Sequence, residues 1–532
     1  MTKNILYLFS LLITGSVFAQ TPNQYQPYTY SHYQKLYKKT YNTNTRIHTS
    51  LLPYFRDDSL TYSLHDSLLN FGTDTSRKTY VHRKIFNEHL IDVKAADYTA
   101  FADFLPDFTF GKDFAGNKNV WLNTRGFQIG GTVGKKFSFY TSGYENQAVF
   151  PAYINNYINT NRVVPGLAYD RSFGKPIKDW SYVSANISYT PVKYLNITLG
   201  QDKTFVGDGY RSLLLSDFSS NYPFLKLIAN LGNVQYMSMW TYMNDPRARQ
   251  FSYDIGYRKK WGIFHYLDWN VNNRLSLGFF DAIIWADRDD LGNKRGFDFS
   301  YLSPLVFLRP VEATNGSPDN ALIGFTAKYE VLKQLTVYGQ FSLDEFEAKN
   351  LFSNLGSPRN KFGYQIGMKG FDLFNIKRLN FLAEFNSVRP YTYSGRIPII
   401  NYSNFNEPLG HPYGANFNEV LGILSWSFKR FDLEQEVLYS QYGLDQRLLN
   451  YGKDIYKPYN TALPEGNYIG RGLTTNLYFS NTRLSFLINP KYNLRLEGEL
   501  TLRRESNIQY IKNTSLVSFG LRSSFRNLYK DF

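Results

Sequence analysis

The stretch "SYVSANISYTPVKYLNITLG", residues 181–200, decides the fold. Val183, Ala185, Ile187 and Tyr189 alternate with Ser184, Asn186 and Ser188; after the turn "TPVK", Leu195, Ile197 and Leu199 alternate with Asn196, Thr198 and Gly200. Successive side chains on a strand point to opposite faces, so the two runs predict a hairpin with one apolar and one polar face. The unit recurs over residues 251–257, 323–329, 335–343, 362–368, 379–385, 420–428 and 494–502. Short turns join many of these pairs, and longer polar stretches rich in Asn, Asp, Gly and Pro separate them. The period is set by about residue 116 and holds to the end of the chain.

Composition narrows the setting. The chain of 532 residues holds 44 Tyr and 43 Phe, yet its mean hydropathy is -0.38. A soluble β-rich binding protein or an outer-membrane barrel would have this mixture, and the barrel accounts for more of it. Its strands set apolar residues against lipid and polar ones against the lumen, while aromatic girdles mark both interfaces. The charged residues Arg495, Glu497, Glu499 and Arg503 fall on the non-apolar face of their strand, which suits a polar lumen. The predicted fold class is an all-β transmembrane barrel of about 16 to 18 antiparallel strands, with long loops outward. The last alternating run, with Val517, Phe519, Leu521 and Phe525 on one face, precedes Phe532 and reads as a terminal strand with an aromatic assembly signal.

Residues 1–19 read as a secretory signal: Lys3, a short apolar core, then Val17-Phe18-Ala19. Its apolar core is far shorter than the roughly 20 residues of a spanning helix. The expected location is the outer membrane. No cysteine occurs, which removes disulfides, thiol catalysis and cysteine-bound zinc from consideration. Residues 20–115 carry apolar residues at three and four spacings, predicting a small, partly helical N-terminal periplasmic domain that plugs or flanks the barrel of residues 116–532. Five of the seven histidines, His32, His48, His65, His82 and His89, lie there without metal-ligand spacing, so no metal and no cofactor is expected. Net charge is +15. Dispersed basic residues on an exported chain point away from nucleic acid and toward acidic polysaccharide or outer-membrane lipid phosphates.

Four further segments follow one another in order: "GQDKTFVGDGYRSLLLSDFSSNYPFLKL" (200–227), "YLSPLVFLRPVEATNGSPDNALIGF" (301–325), "QLTVYGQFSLDEF" (334–346) and "VRPYTYSGRIPIINYSNFNEPLGHPYGANF" (388–417). Together with "NEHLIDVKAADY" and "YKDF" they resemble the Wzi-type outer-membrane capsule-assembly family, in particular its branch of RemB-like gliding-motility proteins. The resemblance implies a barrel of about 18 strands with a helical periplasmic piece. It also implies a non-enzymatic lectin that holds or organises surface or capsular polysaccharide, with a role accessory to gliding; a subunit that mainly docks to motility or secretion machinery is a third possibility, for which the sequence offers no marker.

The first segment contains Gly207-Asp208-Gly209, which imitates a phosphate loop. The strand-to-helix handover that such a loop requires is missing, and Ser212 stands where a third glycine belongs. A strand connection folded into the mouth or lumen is the reading instead. Asp202, Asp208, Arg211 and Asp217 there stand beside Tyr210 and Tyr222, the mixture with which sugars are bound: charged groups for hydroxyl pairs, rings for the apolar sugar face. The plainer reading is that these charges brace the interior against one another. Arg309, Glu312 and Asn320, and then Arg389, Tyr391, Tyr393 and His411, are further glycan candidates in loops. Residues 286–298 imitate a calcium loop, but Leu291 supplies no side-chain oxygen at the fifth place. His265, on "WGIFHYLDW", has no nucleophile beside it in sequence, so catalysis is not expected. The competing reading is a diffusion porin or channel for anionic solutes, and the two separate on whether the long loops and the N-terminal region fill the lumen.

Overall fold

Strands of period two need partners on both edges, and here they find them by closing the sheet on itself. In the computed structural model, which describes residues 24–41, 47–54, 59–74, 76–172, 174–303, 319–347, 355–523 and 525–532, eighteen antiparallel strands run from Tyr98–Asp113 to Ile511–Ser523. The last pairs with the first, from Leu516 opposite Asp113 to Arg522 opposite Asp107. The signal stretch, 1–19, lies outside the described residues. No helix among the described residues is long and apolar enough to cross a membrane; crossing is by strands.

The two faces divide as the alternation predicts. Phe110, Phe127, Ile187, Leu199, Ile366, Val420, Leu484, Leu500 and Phe519 are exposed on the outer wall. Stacked rings such as Phe137 on Tyr189, centroids 4.5 Å apart, lie near the short-turn end, and Tyr439 with Tyr478, 4.9 Å apart, lie nearer the long loops. Short turns close one end. In that between Leu231 and Val234, Gly232 takes φ +72°, where a side chain would be strained. Connections of very different length open from the other end; the first barrel strand starts and the last one ends at the short-turn end.

Three boundaries differ from the sequence reading. The barrel begins before residue 116: Tyr98–Asp113 is already a full stave, and Ile91–Lys94 pairs with its start; Phe101, Phe104, Leu105 and Phe108 fall at three and four spacings and imitate a helical stripe in the sequence. Residues 251–257 alternate but form a loop, and the strand starts only at Arg258, since Tyr253 and Ile255 have no paired neighbour there. The final strand ends at Ser523, so Phe532 is not its terminal residue. Residues 525–532 instead turn back into the barrel, where Phe532 packs 4.7 Å from Tyr157 and 6.0 Å from Tyr153.

A barrel this wide cannot be filled by wall side chains alone. Its lumen is filled by the chain itself. The helix Tyr30–Thr40 carries Tyr30, Tyr33, Leu36 and Tyr37 on one buried stripe and lies inside the wall, with Lys35 2.6 Å from Asp432 and Gln34 donating to Glu434 at 2.9 Å. Leu51 and Leu52 pair with Val206 and Phe205 in a two-stranded ribbon. Leu213, Leu214, Leu215, Tyr393, Tyr402 and Leu409 complete one apolar core inside the barrel. Above it the helix Ala152–Asn161 caps the long-loop end, burying Tyr153, Ile154 and Ile158.

One loop goes the other way. Phe297 packs 5.3 Å from Trp261, Tyr301 packs 5.0 Å from Trp285, and the Trp240 indole donates to the Tyr301 carbonyl at 3.2 Å. All three tryptophans stand on the outer face, opposite in parity to Phe264, which touches the lumen residue Tyr402. Residues 293–303 therefore form a strap on the outside of the wall.

Candidate functional site

The segment 202–222 enters the lumen because its polar groups find partners there. Gly207, at φ +144°, passes so close to Gln340 that a Cβ would run into that side chain. Asp208 then accepts from Tyr41 at 2.7 Å and from Thr49 and Ser50 at 2.6 Å each, all three on the N-terminal segment. Burial works against its charge, but the ammonium groups of Lys328 and Lys369 and those hydroxyls outweigh it and hold Asp208 below the usual carboxylate range. The Arg211 guanidinium meets Glu419 at 3.2 Å and Asp531 at 2.9 Å, and Tyr210 donates to Asp531 at 3.0 Å. Asp202 accepts from Ser184 at 3.1 Å and Asn186 at 2.9 Å; Asp217 accepts from Tyr529. Tyr222 is buried beside Phe224.

The second cluster is likewise interior. Tyr391 donates to the Asn450 carbonyl at 2.7 Å, Tyr393 to the Leu213 carbonyl at 2.7 Å, and Arg389 to the Asn360 carbonyl at 2.9 Å. His411 is fully buried with Nε2 2.8 Å from Glu419; burial pushes its imidazole down against the pull of that carboxylate, which keeps it a neutral donor. Asp202, Asp208, Arg211, Asp217, Tyr391, Tyr393 and His411 are thus buried with partners from other parts of the chain, Tyr222 is buried, and Tyr210 and Arg389 are half-buried with interior partners. Arg309 and Glu312 lie outside the described residues. Among the described candidates, Asn320 lines the cleft at the long-loop end.

That cleft, of about 720 Å³, opens at the long-loop end between the strand ends near Asn320, Glu345 and Lys361 and the loops carrying Arg396 and Tyr459. Its floor is a matched set: Lys361 lies 2.8 Å from Asp344 and 3.3 Å from Glu345, and its ammonium sits 4.3 Å over the Tyr459 ring. Tyr459 in turn donates to Glu345 at 3.4 Å. Arg359 approaches Glu347 only to 3.8 Å, and Arg396 is exposed with no ion pair among the described residues. The arrangement offers hydrogen-bonding groups and cations to a polar ligand arriving from outside. Sequence reasoning missed Asp344, Arg359, Lys361, Arg396 and Tyr459, since they come together from separate loops and strand ends and no local pattern joins them.

The comparisons with known proteins bear on this geometry. Wzi of Escherichia coli, an outer-membrane protein involved in group 1 capsule assembly and a carbohydrate-binding β-barrel, superposes with a TM-score of 0.54 at 14% identity, covering 95% of this chain and 99% of its own. The fold is that of the Wzi barrel. OprD of Pseudomonas aeruginosa, at 10% identity, covers 82% of this chain and 97% of its own with a TM-score of 0.43. OpdO of the same organism, at 9%, covers 80% and 96%, also at 0.43. No protein-family model and no curated protein matches the chain.

Two other sequence motifs can be placed. In the calcium-like loop, Asp287 accepts from the Trp261 indole at 2.9 Å, Asp289 from the Asn293 amide at 2.8 Å, and Asp298 caps Phe299–Leu302; no group of three metal-binding side chains forms among the described residues. His265 faces outward with Nδ1 2.7 Å from the Tyr236 hydroxyl and 3.2 Å from that of Ser238, opposite Asp281 in the ladder. Two hydroxyls share one ring nitrogen, and the imidazole is fully buried.

Proposed function

We propose that the protein is a non-enzymatic outer-membrane barrel that binds or organises surface or capsular polysaccharide, with the ligand seated in the cleft at the long-loop end. The observation that carries this reading is the pairing of a self-filled lumen with an open polar cleft at the outward mouth. Arg396 and Arg359 supply cations with little internal compensation, Asn320 and Glu347 supply hydroxyl-pairing groups, and Tyr459 supplies a ring. A diffusion channel needs a continuous wet path, and the segments 24–41, 202–222, 388–417 and 525–532 stand in its way. A contribution to gliding motility, through the same polysaccharide layer, rests on the sequence resemblance.

The test is binding of detergent-folded protein to the cell's own surface polysaccharide, with Tyr459→Ala plus Arg396→Gln as the cleft variant. Saturable binding by the native chain that weakens roughly tenfold in the variant supports the reading. Absence of binding, together with steady conductance in planar bilayers, overturns it in favour of the channel.

A further inference from the structure

Beneath the lid helix Ala152–Asn161 lies a second cavity, separate from the mouth cleft and of about 80 Å³. Its walls are mostly carbon: Val120 and Leu122 from one stave and Leu516 from its neighbour but one, Ile154 and Pro151 from the lid. At one edge stand charges already matched, Lys530 with Glu499 and Arg522 with Glu497. Trp180 also lines it. That ring is 1% exposed, and its Nε1–H meets no acceptor among the described residues.

An indole nitrogen donates and cannot accept, and a buried donor without an acceptor is rare enough to need a cause. The cavity therefore asks for a group that brings one acceptor and is otherwise apolar. A bare sugar ring carries several hydroxyls, which carbon walls would strip of water without replacement. A long acyl chain would leave the indole unmatched and exceed the space, which holds about five to eight water-sized groups. A carbonyl bearing a methyl group satisfies both demands.

We propose that this cavity is a subsite for an acetyl or acetamido group of the glycan, its carbonyl oxygen accepting from Trp180 and its methyl against Ile154 and Leu516; the proposal rests on the polysaccharide reading above. The lid belongs to the connection 149–178 at the long-loop end, the same end as the cleft. The subsite selects for acetylation, while the cleft supplies general affinity.

Chitotetraose and cellotetraose test it, because they share one backbone and differ in the acetamido group. Titrated against the full-length folded protein, chitotetraose is expected to bind roughly tenfold more tightly. Trp180→Phe should reduce that preference to about twofold or less and leave cellotetraose affinity unchanged. Ile154→Trp, which fills the cavity from the lid and spares the wall, should act alike and covers the case in which the wall variant fails to fold. Equal affinity of the native chain for both, a preference that survives both variants, or no binding of either tetrasaccharide overturns the subsite. If the native polysaccharide still binds in those cases, only the subsite falls; if it does not, the glycan reading falls with it.

Discussion

Arg211 Nη2 lies 2.9 Å from Asp531 Oδ2, joining residues 320 positions apart in the chain. Glu419 on the wall completes the group at 3.2 Å. Arg211→Ala would leave two buried carboxylates without their shared cation, a loss expected to cost about 3–5 kcal/mol. The heat-modifiable gel transition of the variant should fall well below that of the native chain, and Asp531→Asn added to it should recover part of the difference. An unchanged transition would mean that water reaches the group.

Residues 525–532 run from the short-turn end to the lid, where Phe532 meets Tyr153 and Tyr157. Ending the chain at Ser523 removes this strut and leaves the closed ladder of eighteen strands intact. Planar bilayer recordings should find the native protein silent and the shortened one conducting. Equal silence would show that the N-terminal helix and the loops suffice to close the lumen.

Glu407 ties three loops, accepting from the Gly166 N–H at 2.7 Å, the Ser220 N–H at 3.1 Å and the Tyr157 hydroxyl at 3.3 Å. Burial pushes its carboxyl up from 4.5 to about 8, against the opposing pull of the Gly166 N–H and Lys203. Because the folded value is raised, the unfolded chain ionises first as pH rises. Stability from this group is constant below about 4.5, falls between about 4.5 and 8, and levels off above. The melting temperature of the native chain minus that of Glu407→Gln, followed from pH 4 to pH 9, should decline across that window, and a flat difference would sink the assignment.

The strap makes a prediction about light emission. Trp285 stands on the outer wall yet is fully buried beneath Tyr301. In bilayers with brominated acyl chains, Tyr301→Ala should increase quenching of tryptophan fluorescence relative to the native chain, because the strap loses its ring anchor. Unchanged quenching would place lipid against Trp285 already.

Alternation made the barrel legible. Val183 to Tyr189, Leu195 to Leu199 and the charged face of Glu497, Glu499 and Arg503 all fall where a period of two puts them, since lipid on one side and lumen on the other act on each residue locally. Alternation failed where the same pattern lacked a neighbour, at Tyr253 and Ile255, and where a tail continued past its strand, at Phe532.

The candidate site was the reverse case. Asp208 and Arg211 look the same in sequence whether they face solvent or a buried partner, and their partners Tyr41, Thr49, Ser50, Glu419 and Asp531 arrive from elsewhere in the chain. Sequence by itself determined the wall, the membrane-facing residues and the polarity of the lumen, because those follow from the two-residue period of a strand. Tertiary structure alone decided that the lumen is filled, that the strap lies outside and that the open cleft gathers Asp344, Arg359, Lys361, Arg396 and Tyr459, because contacts between distant loops leave no period to read.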